Sequence, residues 1–321
     1  MSSSKQGWQL VAIVLRDLSC NDFDGVGGYL TAEEKTKFRL AFRITTPTLP
    51  CSTPSLKMSH ARAYIADALD LLRSAKPKLR KKKVANERLD ALTVAVVAVA
   101  GGVRMGALVD DQFPLEVMHD VSALAQVCGQ FGASVLQVGM DALFIVNRFM
   151  LAKRFSALSR GEVFDLDVCV IQVSDAEAHL DPGDTLRSAL KLMLEQLGGI
   201  EGILVHMNPG EHRCVLKDAG HELVAVAGWL LGYPAIYTQR SMGVSGCLSG
   251  SPLHLYTIQL QGPNLSQTLE SWSIPQSLAT RALQTQINRH QRLLVHRWSR
   301  LDSTFVAQAL CTDVIIPHVA L

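Results

Sequence analysis

No stretch of the chain stays apolar for long. The longest such run, 91–100, contains Thr93 and is far shorter than the roughly 18–20 residues that cross a bilayer, so a membrane-spanning protein is not expected. Charge of one sign is also lacking. With 31 Lys and Arg against 29 Asp and Glu, the formal net charge is +2, which excludes a histone-like basic protein, while 48% hydrophobic side chains exclude a disordered tail or a collagen-like repeat. Paired cysteine spacings are missing as well. The seven cysteines at positions 20, 51, 128, 169, 214, 247 and 311 are odd in number and form no Cys-x-x-Cys, which fits reduced thiols better than a disulfide framework or a zinc ribbon. The first residues carry one cation, Lys5, and a short apolar stretch over 8–15 without a small-residue cleavage site, so no secretory signal is read there. These features place the protein inside the cell, in the cytoplasm or the nucleus. There is no GxxxxGK[ST] run, no GxGxxG after a strand and no internal repeat, so nucleotide binding lacks its usual signature.

What is present is an apolar chain with a mean hydropathy of +0.18, long enough to bury at least one full core. Its first 85 residues differ in texture from the rest. Residues 45–54 read TTPTLPCSTP, and residues 76–83 read KPKLRKKK, with six like charges in eight positions. Proline restricts the backbone and like charges repel, so both stretches read as linker. The sequence therefore divides into an N-terminal extension and basic linker over 1–85, expected to be partly disordered, and a domain over 86–321.

Within that domain, apolar spacing alternates between helical and extended periods. Asn86 is placed to cap a helix through Val99 that stops at Gly101 and Gly102, and a short strand over 103–108 closes on Asp110 and Asp111. Pro114 begins a helix in which Val117, Val121, Leu124 and Cys128 step by four, three and four. Strands are expected over 134–146 and 163–173. Asp184 opens a helix with Leu186, Leu190, Met193 and Leu197 in the same rhythm, and a strand is expected at 203–206. Residues 221–231 read as a buried helix ended by Gly232 and Pro234. Strands follow at 235–238 and 253–260, then a last helix and one or two closing strands in 304–321. Helices alternating with strands predict an α/β fold: a mixed, mainly parallel sheet flanked by helices, with a separate N-terminal arm.

Several short motifs fall in a familiar order. They are LLGYP at 230–234 with Tyr237 beyond it, DALFIVN at 141–147, Pro252 and Leu253 leading into Thr257, SIP at 273–275 with Ser277 and Leu278, and the ending PHVAL at 317–321. In this order they resemble uncharacterised protein family 0739, over roughly residues 86–321. The resemblance brings no activity, cofactor or site residue with it, and the first 85 residues lie outside it.

Asp22, Asp24, Gly27 and Glu33 fall at positions 1, 3, 6 and 12 of a calcium loop, but Val26 replaces the oxygen ligand at position 5 and no second loop exists. Asp110 and Asp111 end a strand, where open sheets gather ligands. Asp165 and Asp167, two apart, share a face if extended. If these four carboxylates met, they would hold a cation such as magnesium for metal-assisted hydrolysis or phosphoryl transfer. His206, His212, Cys214 and His221 form the densest group of soft ligands, at spacings that match no common zinc pattern. GVSGC at 243–247 approaches a nucleophile elbow but has Cys247 where the second glycine belongs. Tyr233 and Tyr237 border the turn at Gly232, which reads as a plain helix stop or, alternatively, as the side of a ligand crevice.

The last helix is the most informative. Leu283, Ile287, Leu294 and Trp298 cluster on one side, while Arg281, Arg289, Arg292, Arg297 and Arg300 spread over the other, with no acidic residue between 281 and 301. Such a face suits an acidic or phosphate-bearing partner. Nucleic acid is disfavoured because no aromatic residues are interleaved with the arginines. The reading is a binding or interaction domain for a protein partner or small ligand, with Asp110, Asp111, Tyr233, Tyr237, Arg281, Arg289, Arg292 and Arg297 as candidate surface. A metal-assisted enzyme on the four aspartates is the alternative. No resident cofactor or metal, no catalytic residue and no membrane contact are assigned.

Overall fold

Segments that are apolar on every side need cover on every side, and the central helix shows this most plainly. A computed structural model describes residues 57–75, 86–110, 113–114, 121–139, 142–159, 168–173, 178–207, 213–216, 223–239, 248, 250–262 and 265–315. All belong to one compact unit, Leu56–Leu321. Helix α1 is Met58–Ala75 and α2 is Asn86–Ala100, followed by β1, Gly106–Leu108. From Leu92 to Val99 every residue of α2 is buried. Val94, Val97 and Ala98 enter one core while Leu92, Ala95, Val96 and Val99 enter another, so a wholly apolar surface is what its position requires.

Helix α3, Val121–Gln130, leads into β2, Ser134–Val138, and β3, Ala142–Val146. Helix α4, Arg148–Ser159, is followed by β4, Cys169–Val173, and β5, Ala178–Asp181. Next come α5, Asp184–Gln196, α6, Gly199–His206, and β6, Arg213–Leu216. Helix α7, Leu223–Leu231, turns into β7, Ala235–Gln239. The last part is a hairpin of β8, Pro252–Gly262, and β9, Leu265–Pro275, then α8, Arg281–Leu301, and β10, Val306–Ile315.

These strands form three small sheets, ordered β1-β3-β2-β6, β5-β4-β7 and β10-β8-β9. Only β2 with β6 and β4 with β7 are parallel; the other pairings are antiparallel. The expected single, mainly parallel sheet is therefore corrected, for local reasons. The run 134–146 is a hairpin rather than one strand, broken at Gly139, whose φ of 65° is easy for glycine and costly for other residues. Residues 203–206, expected as a strand, are the end of α6, so that segment cannot carry the sheet onward. Strand β9, absent from the expected elements, pairs with β8 along its whole length.

The β1-β3-β2-β6 sheet lies between two cores. Val135 and Ile145 join α1, α2 and α3 on one side; Leu136, Val138, Phe144 and Val146 join α4, α5, α6 and α7 on the other. Asn147 couples two of these layers: its Nδ2 donates to Val99 O at 2.9 Å, while its Oδ1 accepts from Phe149 N and Met150 N and caps α4. Helix α8 lies across the β10-β8-β9 sheet, with Leu283, Ile287, Leu294 and Trp298 packed among Tyr256, Ile258 and Leu260. Thr280 caps this helix by accepting from Leu283 N.

One carboxylate ties the ends of the described unit together. Asp302, just past α8 and 5% exposed, accepts from Met58 N at 3.0 Å through Oδ2 and from Thr304 N at 3.0 Å through Oδ1. The Thr304 hydroxyl donates to the same Oδ1. Asp302 thus caps α1 from 244 residues away. Burial pushes its carboxyl up, but the Thr304 and Met58 hydrogen bonds and the nearby Lys57 charge together hold it below the ordinary value. A carboxyl lowered in the folded state stabilises the fold above its unfolded value near 3.8 and ceases to do so as pH falls through the lower folded value. Asp302→Asn should cost about 1–2 kcal/mol at neutral pH, and urea titrations should show the gap to wild type closing as the pH drops below 3.8; a gap constant with pH would contradict this. Gly106 offers a second check. A Cβ there would stand 2.7 Å from Leu230 O, so Gly106→Ala should lower stability by about 1–3 kcal/mol, read as a lower thermal midpoint.

Candidate functional site

The β8·β9 ladder has one irregularity, a register shift at Ile258 and Gln259 that leaves Leu269 as the extra residue. A bulge re-aims the side chains beside it, and here Glu270, Trp272 and Ile274 all turn into the core. Arg104, in the turn between α2 and β1, donates from a guanidinium nitrogen to the bulged Leu269 carbonyl. Glu270, with its side chain 1% exposed, meets His290 of α8 at 3.1 Å. The His290 ring stands edge-on to Trp272 at 5.3 Å, Trp272 stacks on Tyr256 at 5.8 Å, and Tyr233 lies 6.2 Å away on the same indole. Tyr256 donates to Gln284 Oε1 at 2.7 Å.

This buried cluster collects charge without exposing it. Burial pushes the Tyr233 phenol up to about 12, the Arg104 charge opposes that, and Glu270 and Asp110 add to it. Burial likewise pushes Tyr256 up to about 12. Both phenols therefore remain protonated donors at neutral pH. Three polar atoms of the cluster, Arg104 Nε, Glu270 Oε1 and Trp272 Nε1, are buried without a hydrogen-bond partner. The neighbours of the His290 ring are an indole and a carboxylate, neither a nucleophile that an imidazole activates. The arrangement accordingly sets the Glu270 carboxylate against the His290 imidazole inside the fold.

The sequence candidates distribute as follows. Tyr233 sits in this cluster and Asp110, half-buried, acts on it electrostatically. Tyr237 spans from β7 to β9, donating to Ser273 O at 2.8 Å. Asp111, Asp165, Asp167, the 22–33 segment, His212, His221 and the 243–247 run lie outside the described residues. Cys214 falls on β6 opposite Leu136, and His206 ends α6. Among the described residues no group of three His, Cys, Asp or Glu is placed to hold a metal ion, and no helix is long and apolar enough to cross a membrane.

On α8, Arg281, Arg289, Arg292 and Arg300 are exposed. Arg297 is half-buried and donates to Val103 O at 3.3 Å, so it braces the end of α2. Arg292 Nε reaches Asn288 O one turn back at 3.1 Å. Beside this face, α8 and β10 border an open groove of about 760 Å³, whose walls include Gln291, Arg292, His296 and Gln308. Gln291 is 8% exposed and its Nε2 is buried without a partner. It escaped sequence reading although a signal existed: 291 is the gap in the apolar series 283, 287, 294, 298. Glu270 was missed because its partner is twenty residues on, in α8, and no local pattern announces the bulge at Leu269 beside it.

These features define a mixed α/β domain with a charge-compensated interior and a basic helix beside an open strand. Residues 74–310 match the model of a family described as a domain of unknown function, DUF4504, and the chain belongs to that family. The match begins at the end of α1 and runs into β10. No solved structure matches the chain.

The cluster yields a stability test. His290→Leu leaves Glu270 buried without its partner and should cost roughly 1–3 kcal/mol. The double variant Glu270→Met/His290→Leu should recover most of that loss in urea unfolding. Additive losses would show that the two side chains are not coupled.

Proposed function

We propose that this chain is a protein-binding domain whose recognition element is the exposed side of α8, and that its partner is acidic. One observation carries the reading: Arg281, Arg289, Arg292 and Arg300 are exposed on a helix with no acidic residue from 281 to 301. Such a face attracts negative charge with no internal counter-ion to displace. The apolar side of the helix is fully engaged with β8 and β9, so the polar side is its free surface. The free thiols of Cys128, Cys169 and Cys311 support an intracellular location. The motif order over 86–321 supports membership of the narrower family 0739.

A polyglutamate peptide tests charge recognition without requiring any partner structure. Wild-type protein should bind it saturably at low salt and progressively less as salt rises. The triple variant Arg281→Glu/Arg289→Glu/Arg292→Glu, with an unchanged melting temperature, should lose binding. Equal binding by this variant would refute the assignment to α8.

A further inference from the structure

We propose that the open edge of β10 and the groove beside α8 take up an extended, acidic segment of a partner protein as a fourth strand of the β10-β8-β9 sheet. This rests on the reading of α8 as the recognition element and adds the conformation of what is recognised.

Four observations lead to it. First, β10 pairs with β8 without interruption from Val306 opposite Gln261 to Ile315 opposite Pro252, and among the described residues its other edge has no strand beside it. A paired edge strand of ten residues presents a row of unused backbone donors and acceptors. Second, the strand itself carries none of the sequence features that usually protect an edge. The strand VAQALCTDVI has no proline, glycine or lysine, its register with β8 has no bulge, and Asp313, its one charge, is engaged by His254 at 2.7 Å. Val306 and Ile315, at either end, are 66% and 68% exposed, an arrangement that strand addition would cover.

Third, a residue that lines the groove carries an unmet donor. Gln291 Nε2 is buried within its wall without a partner, and leaving such a group unpaired is costly. A carbonyl or carboxylate oxygen from an incoming strand would satisfy it. Fourth, the charge fits an acidic occupant in this conformation. Arg292, His296 and Arg300 recur every four residues along α8 and are exposed. That spacing is a rise of about 6 Å, close to the about 6.8 Å between alternate side chains of a strand. The short connection 302–305 returns β10 alongside the helix, so a strand with acids at every second position meets the Arg292 and Arg300 guanidiniums with the His296 imidazole between them. The absence of aromatic residues from the exposed series favours a peptide over single-stranded nucleic acid, which binds by stacking.

The test uses the full chain, isotope-labelled, and a capped peptide of alternating glutamate and valine. A lysine and valine peptide and a proline-interrupted glutamate and valine peptide serve as controls. Binding of the first should slow amide exchange at alternate residues of β10 by at least about tenfold, and neither control should do so. Arg292→Glu/Arg300→Glu should weaken the peptide's affinity by roughly tenfold. Several results would overturn strand addition. Binding that protects no β10 amide would remove it while leaving the basic face of α8 intact, as polyglutamate binding would then show. Failure of both peptides to bind would remove both readings. Protection that grows with protein concentration in the absence of peptide would assign the edge to a second copy of the chain. Displacement of the peptide by single-stranded RNA, without protection of β10, would assign the surface to nucleic acid.

Discussion

The Asp302 carboxylate accepts hydrogen bonds from the first amide of α1 and from Thr304 at the start of the turn into β10, and it does so while almost wholly buried. A buried charge is tolerable only when it is hydrogen-bonded and compensated; here the cost of burial is offset by three donors and a nearby lysine. Through that one carboxylate the first turn of α1 is tied to the end of α8 and to the turn that leads into β10, which then pairs with β8 along its length. The Arg62 and Asp90 pair links α1 to α2. Helix α1 lies almost entirely before the family match at 74–310, yet Met58, Ala61, Ile65 and Leu69 are part of the cores.

The interior and the surface divide the work of the polar residues. Inside, Arg104, Glu270, His290 and the two tyrosines balance one another around Trp272 and let the bulged β9 pack against α8. Outside, the same helix carries cations with no counter-charge of its own. A helix that is oily along one line and basic along the opposite one is at once a structural element and a display surface, and the exposed edge of β10 lies next to that display. The binding proposed for this face would need no movement of the core, because each exposed arginine projects from a helix whose inner side is fixed.

Much of this was legible in the chain where periodicity runs long. The alternation of Leu283, Ile287, Leu294 and Trp298 against arginines marks α8 within the limits the structure shows, and the rhythm of Leu186, Leu190 and Met193 marks α5. Short apolar runs were ambiguous by their nature. Residues 203–206 read as a strand because Ile203, Leu204 and Val205 are adjacent and apolar, but they form the last turn of α6, which starts after Gly198 in the left-handed region. The 134–146 run hid its hairpin because both arms are apolar. Strand β9 was invisible for the opposite reason: LSQTLESWSIP looks half polar, and only the bulge makes Glu270 an interior residue. Among site residues, the arginines and Tyr233 stood out by type and spacing, whereas Gln291, Glu270 and Asp302 acquire meaning only from partners distant in sequence.

The most direct measurement is native-state hydrogen exchange resolved by residue. If Asp302 joins α1, α8 and β10 into one cooperative body, the core amides of α1 should exchange only through the same opening as those of α8, with equal free energy and equal dependence on denaturant. Exchange of α1 through a separate opening of much lower free energy, with α8 and β10 still protected, would contradict the account.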